Sequence, residues 1–382
     1  MSKDDKITVF HVVEDYLNKN YDLRFNSISL EIEISQKAKN DWNPCNENSL
    51  WIEIQKKGIK MSLSTFITLL KSNFIKDYNP IKNYFYNLPK WDGKTDYITM
   101  FSRYIILDEH EDKEQFEYHF KKWCVRAVKC ATIDDYFNKQ AFILTDNGEG
   151  QNIGKTSWCR FLCPDKLAEF IAQDIPDQEK DARILFAKNF LVNLDELASL
   201  SRKEINKLKS YFTLDKINER LPYDKKNSIL PRISSFLGST NMSTFLHDET
   251  GSVRWLCFVV KKINWEYKNH FNIDDLWSQA FHLSKDKNFI EILTSKDIIE
   301  NENRNQKFQI ITPEKELIMK YFEVPENDED VEHFTSTEIL QKIASEIYGI
   351  RLNTIAIGKA MKSLGFKNVK HKNIYCYKVK SK

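Results

Sequence analysis

The stretch from Gln140 to Ser157 constrains this chain more than any other. A short apolar run, QAFILT (140–145), leads into the loop DNGEGQNIGKTSW, and helical spacing then continues to Pro164. An apolar run this short and without alternation predicts a strand buried on both faces, and so a parallel sheet with crossovers. A glycine turn that opens directly into a helix leaves backbone N–H groups facing one point, which is an anion-binding geometry. Gly154-Lys155-Thr156 sets a cation and a hydroxyl at that point, with Lys155 placed to reach outer phosphates and Thr156 to ligate Mg²⁺. The strict spacing asks for glycine five positions before Gly154. Glu149 stands there, between Gly148 and Gly150. The loop residues expected against a nucleotide are Gly150, Gln151, Asn152, Ile153, Gly154, Lys155, Thr156 and Ser157. An ordinary strand-to-helix turn is the alternative.

A second apolar run, NFLVNL (189–194), ends in Asp195-Glu196 about 40 residues after the first motif. A buried strand that ends in paired carboxylates suits phosphoryl transfer. Asp195 would hold Mg²⁺, directly or through water, and Glu196 would orient and polarise the attacking water. The alternative is an acidic cap on the helix that follows, and both can hold at once. A third candidate strand, ISSFL (233–237), runs into Gly238-Ser239-Thr240-Asn241, which would bring Asn241 beside the carboxylates if the strands are neighbours. Arg232 and Arg254 follow proline and glycine turns. Either suits a cation for transition-state charge, often supplied across a subunit boundary, and either suits a plain surface arginine. The pocket requires the 154–156 turn and the 195–196 carboxylates to lie close together, on neighbouring strands of one sheet.

At 382 residues the chain holds two to three domains, taking about 150 residues each. Hydrophobic residues make up 41% and charged residues 29%, enough apolar material for real cores. No apolar run approaches the roughly 18 residues of a membrane helix, and the N-terminus lacks the apolar segment of a secretory signal. Seven irregularly spaced cysteines with no CxxC pair argue against a disulfide framework or a zinc site, and for buried thiols in a reducing cytoplasm. The net charge of +2 hides a strong asymmetry. Residues 357–382 contain eight lysines and no acid, just after the acidic EVPENDEDVE at 323–332. A block of that kind is a candidate phosphate-binding surface.

These signals divide the chain. Residues 1–78 read as a small α+β unit, with a helix over VFHVVEDYLNKNYDLRF, a strand at SISLEIEIS, and two more helices ended at Gly58 and begun at Ser62. Residues 79–136 read as a helical lead-in with the turn Trp91-Asp92-Gly93. Its long helix over 116–136 carries its charges on one side and Phe120, Trp123, Cys124 and Val128 on the other. Residues 137–270 hold the strand–helix alternation of an α/β core. Residues 271–334 read as a helical segment and acidic linker. Residues 335–382 read as two helices and a basic hairpin, a winged-helix pattern with Lys359 and Lys362 on the second helix and Lys367, Lys370 and Lys372 on the wing. A small packing domain with a solvated basic face is the alternative there.

The pieces YNPIKNYFYNLPKWDGK, GQNIGKT, EKDARILFAKNFLVNLDEL, RLPY, LPR, GSTN and FLHDETGSVRWLCF follow one another over nearly half the chain. In that order they resemble the virulence-associated E (VirE/VapE-like) family, P-loop ATPases of phages, plasmids and mobile elements related to superfamily 3 helicases. The resemblance implies an AAA+-like core that assembles into rings, usually hexamers, and uses ATP to move on DNA. It makes Lys155 and Thr156 the phosphate and Mg²⁺ residues, Asp195 and Glu196 the acidic pair, and Asn241 the polar sensor. Arg232 and Arg254 match the family's arginines near the nucleotide or the neighbouring subunit. DKINERLPYDKK (215–226) corresponds to a hairpin facing the DNA channel, with Arg220, Lys225 and Lys226 as contacts. Two departures stand out: Glu149 and Asn152 where relatives commonly carry glycine, and Val253 before Arg254 where the family often has a second arginine.

The function expected is therefore an ATP-dependent helicase or translocase that binds single-stranded DNA, with duplex or origin contacts from the C-terminal unit. A separate primase as partner is left open. The competing readings are an ATP-switched DNA-binding initiator or regulator that does not unwind, and a nucleotide-sensing ATPase of antiphage defence.

Overall fold

The structure is a computed structural model. It describes residues 7–146, 148, 152–195, 197, 202–220, 227–246, 252–325, 331–347 and 351–382. The N-terminal unit runs α1 (Val9–Asn20), β1 (Tyr21–Asn26), β2 (Glu31–Gln36), β3 (Asn43–Pro44), α2 (Glu47–Lys56), α3 (Leu63–Leu70) and β4 (Lys76–Tyr78). Its sheet has the order β3-β2-β1-β4, and Val13, Leu17, Ile54 and Phe66 are fully buried beneath it. The helical spacing read from Val9 to Phe25 stops at Asn20. Tyr21 to Asn26 instead pairs residue by residue with Gln36 to Glu31 as an antiparallel hairpin. Cross-strand hydrogen bonding there overrides a local periodicity that both periods could satisfy.

The central unit continues with α4 (Pro80–Tyr86), α5 (Tyr97–Ser102), β5 (Ile105–Leu107), α6 (Lys113–Thr132), β6 (Ala141–Thr145), α7 (Lys155–Phe161), β7 (Ile171–Ala172), α8 (Glu179–Lys188), β8 (Leu191–Leu194) and α9 (Arg202–Phe212). The hairpin β9 (Lys216–Glu219) and β10 (Ser228–Pro231) follows, then β11 (Ser235–Thr240), β12 (Trp255–Ile263), α10 (Tyr267–His270), α11 (Ile273–Lys285) and α12 (Ser295–Asn305). Six strands form one sheet in the order β5-β12-β6-β11-β8-β7, parallel throughout except for β5 at one edge. Every residue of β6 and β8 is buried, as a run without alternation requires. One face packs Phe101, Phe120, Trp123, Trp158 and Trp277 from α5, α6, α7 and α11; the other packs Phe186, Ile205, Tyr211 and Phe212 from α8 and α9. The result is a mixed α/β fold with helices on both faces of a parallel-containing sheet. β6 and β8 are not neighbours, against the sequence expectation: β11 lies between them.

The charged side of α6 is not a solvated face. His119, Lys122 and Arg126 are buried under the segment that leads into α12. Lys122 Nζ donates to Asp297 Oδ2 at 3.1 Å and to the Ile292 carbonyl at 3.0 Å, and Arg126 donates to the Glu291 carbonyl at 2.7 Å. Residues 271–305 thereby pack into the core, supplying partners to both cations, while Asn138 Oδ1 accepts from Arg126 Nε at 3.1 Å. Neither ring nitrogen of His119 has a hydrogen-bond partner among the described residues. Burial, with the Arg304 charge adding to it, pushes its pKa down to about 3. The unfolded chain therefore binds a proton more tightly than the folded one, and stability is lost as pH falls from about 6.5 toward 3. We expect about 2 kcal/mol of destabilisation on going from pH 7.5 to pH 5, and a His119→Leu variant that loses this component in urea melts at the two pH values.

The last unit holds α13 (Pro313–Tyr321), β13 (Phe322–Glu323), β14 (Glu332–Phe334), α14 (Ser336–Glu346), α15 (Thr354–Ser363), β15 (Asn368–His371) and β16 (Ile374–Ser381). Its core joins Ile318 and Phe322 to Ile339, Ile343, Ile357, Met361 and Val379. Both ends of the acidic stretch are strands: β13 and β14 pair with β16, which places Glu323 opposite Lys380 and ion-pairs them at 3.1 Å.

Candidate functional site

Three parallel strands end side by side. Thr145 pairs with Thr240, and Leu194 pairs with Gly238, so the polar residues that follow β6, β8 and β11 share one edge of the sheet. Gly154, with φ +99°, caps α7 and turns its first residues over that edge. Asn152 also takes a left-handed backbone, φ +63°, a conformation asparagine tolerates better than most residues. The departure from glycine at 152 is thus met by the residue type best able to replace it. Gly148 is likewise left-handed, φ +83°.

Lys155 is buried. Its ammonium pairs with the Asp146 carboxylate, and Nζ donates to Asn241 Oδ1 at 2.9 Å. Thr156 Oγ1 donates to Asp195 Oδ1 at 2.9 Å, and Ser239 Oγ donates to the same oxygen at 2.9 Å, the two hydroxyls lying 3.0 Å apart. Arg160, one turn further along α7, sets Nη2 3.9 Å from Asp195 Oδ2. Lys155, Thr156, Asp195, Ser239 and Asn241 border a cavity of about 380 Å³, whose lining is completed by the rest of the 152–157 turn, Thr240 and Trp265. The interposed β11 supplies Ser239 and Asn241, and α7 crosses it to bring Thr156 to Asp195. Among the described residues no cluster of three His, Cys, Asp or Glu side chains is placed to hold a metal.

Of the residues singled out from sequence, the fold brings together Asn152, Ile153, Gly154, Lys155, Thr156, Ser157, Asp195 and Asn241. Gly150, Gln151, Glu196, Lys225 and Lys226 lie outside the described residues. Arg232 is a correction. It is fully buried, and its guanidinium donates to the carbonyls of Leu214, Ser234, Asn138 and Phe212 at 2.7 to 3.4 Å. It locks the start of β11 to the ends of α9 and the 138 loop, and it is not available to a nucleotide or a neighbouring subunit. Arg254 precedes Trp255, which pairs with Ala141 at the opposite end of the sheet from the cavity. Arg220 is exposed just past β9, on the hairpin expected there. Lys359 and Lys362 on α15, with Lys367, Lys370 and Lys372 about the β15–β16 hairpin, are all exposed.

Sequence reasoning missed four groups at the cavity: Asp146, Ser239 in its contact with Asp195, Arg160 and Trp265. The first three carried a signal, being polar residues at a strand end or one helical turn beyond Thr156. Trp265 carried none, because more than a hundred residues separate it from the turn it covers.

The sequence matches the virulence-associated protein E-like domain over residues 86–310, more than half of the chain, and the span contains every cavity residue. The chain belongs to the virulence-associated protein E-like family. Two solved structures share the fold over the full length of both chains. The apo structure of the NrS-1 C terminal region (305–718) aligns with TM-score 0.50 at 12% identity. The A form apo structure of the same region aligns with TM-score 0.50 at 14% identity. No curated protein matches the sequence. Among the described residues no helix is long and apolar enough to cross a membrane.

Proposed function

We propose that this virulence-associated protein E-like chain is an ATP-hydrolysing motor with an AAA+-like P-loop core, moving on DNA in the replication of a phage or other mobile element. One observation carries the reading: a buried lysine, a helix-start threonine and a strand-end aspartate, each from a different element, converge on one polar cavity at the N-terminus of α7. The backbone N–H groups of the 154–157 turn and the Lys155 ammonium suit the β- and γ-phosphates, and Asn241 suits the outer phosphate or the attacking water. The donor set of Thr156 Oγ1, Asp195 and Ser239 Oγ is all hard oxygen, which fits Mg²⁺ held by one carboxylate together with substrate phosphates and water. When bound, the ion would neutralise charge on the transferred phosphoryl group. Glu196, next in sequence to Asp195, is the candidate to orient the water. Arg254 would serve a triphosphate only across a subunit boundary, which fits a ring, a hexamer by family resemblance.

DNA contact is assigned to the 215–226 hairpin and to the lysines of α15 and the β15–β16 hairpin, as a winged helix would use them. Because phosphate contacts release counterions, a Lys359→Gln/Lys362→Gln/Lys370→Gln variant is expected to bind duplex DNA more weakly and to flatten the slope of log affinity against log salt by about 2 to 3. The changes are to exposed side chains, so the melting temperature should not move. The test of the whole reading is hydrolysis of Mg·ATP with and without single-stranded DNA, paired with strand displacement on a forked duplex and the particle mass under the same conditions. Hydrolysis, ring formation and unwinding support the motor. Nucleotide-dependent assembly without unwinding favours the switch, and absence of hydrolysis refutes the active-site assignment.

A further inference from the structure

Trp265 is the one exposed tryptophan among the described residues, at 43% of its surface, while Trp123, Trp158, Trp255 and Trp277 are fully buried. It stands on the turn between β12 and α10, and that turn is fixed: the Asn264 N–H donates to the Tyr104 carbonyl at 2.8 Å, and the Lys268 N–H donates to the Trp265 carbonyl at 3.1 Å. The indole leans on the phosphate-facing turn so closely that a Cβ on Gly154 would lie 2.4 Å from Cζ2 and 2.8 Å from Cη2. With Ile153 it forms the apolar part of a cavity otherwise built of backbone, amides, hydroxyls and charges. The Lys268 ammonium lies 4.4 Å from the ring centroid, a displaceable cation on a flexible stem.

An exposed flat ring at the rim of a triphosphate-sized cavity, one residue from the phosphate-binding N–H groups, matches the shape of a nucleotide: anion in the turn, base beside it. We propose that Trp265 is the base platform of the site, stacking the nucleobase of the bound nucleoside triphosphate while Lys268 swings off the ring toward the ribose or α-phosphate. The inference rests on reading the cavity as a triphosphate site. Stacking uses the π-face, which every base has, so Trp265 adds affinity with little discrimination between ATP and GTP and favours both over CTP, whose ring is smaller.

The test uses the full chain with Mg²⁺, wild type, Trp265→Ala and Trp265→Phe, titrated with ATP and with inorganic tripolyphosphate. Removing the ring should weaken ATP by about 10-fold to 100-fold and leave tripolyphosphate unchanged. Phenylalanine should hold ATP within a few-fold of wild type. In parallel, ATP should quench the tryptophan emission of the wild type more than that of Trp265→Phe, and tripolyphosphate should quench neither. Equal loss of both ligands in Trp265→Ala, or equal quenching of wild type and Trp265→Phe by ATP, overturns the platform while leaving the phosphate site standing. Failure of the wild type to bind either ligand refutes the triphosphate site itself, and the platform with it.

Discussion

Lys155→Ala is expected to lose ATP hydrolysis, by at least about 10³-fold, and also to lose stability. The second effect is particular to this fold. The Lys155 and Asp146 side chains are only 5% and 3% exposed, so deleting the cation strands a carboxylate in the interior. Breaking a buried pair from one side costs about 3 to 5 kcal/mol. Among the described residues Asp146 then keeps the Gly148 N–H, at 2.9 Å, as its one side-chain partner. Asp146→Asn/Lys155→Met should therefore recover most of the lost melting temperature while remaining inactive. Asp146→Asn alone should bind ATP more tightly, because Asp146 and the triphosphate compete for the same ammonium. Thermal melts with and without Mg·ATP, beside a phosphate-release assay, read both effects. A Lys155→Ala protein that melts like wild type would show that Asp146 is not the partner in solution. Normal turnover by any Lys155 variant would remove the site assignment.

Gly238→Ala is expected to damage both fold and site. Gly238 lies opposite Leu194 in the β11–β8 pairing, and a Cβ there would meet the Leu194 carbonyl oxygen at 2.4 Å and its Cβ at 2.8 Å. Neither atom is the end of a flexible chain, so the strands must separate. Overpacking of this kind costs about 3 kcal/mol. The residues that follow the collision on the two strands are Asp195 and Ser239, whose 2.9 Å contact would open with the strands. A displacement of about 1 Å at a catalytic constellation costs on the order of 100-fold in rate. We expect both losses together, measured by urea unfolding and steady-state hydrolysis. A Gly238→Ala protein with wild-type turnover would mean that strand spacing does not set the Asp195 position.

Much of the α/β core was legible in sequence because its strands are unbroken apolar runs buried on both faces. β6, β8 and β11 each begin within two residues of where the pattern places them. Elements defined by pairing were less legible. β1 reads as helix until β2 is beside it, and the acidic stretch reads as linker although its ends complete a sheet with β16. The charges of α6 were legible as one side of the helix, but their partners were not, because Glu291 and Asp297 come from a segment some 170 residues away.

Which chemical groups the site can draw on is legible along the chain: Lys155 and Thr156 at a helix start, Asp195 and Asn241 at strand ends, and a basic C-terminal unit. Local pattern suffices for these because a strand end or helix start is defined by its own few residues. Which of these groups meet is settled by the fold. Folding inserts β11 between β6 and β8, turns Arg232 inward onto four carbonyls, sets Asp146 against Lys155, and lays Trp265 on Gly154. Those outcomes depend on strand order and on the packing of residues distant in the chain, and no local periodicity encodes either.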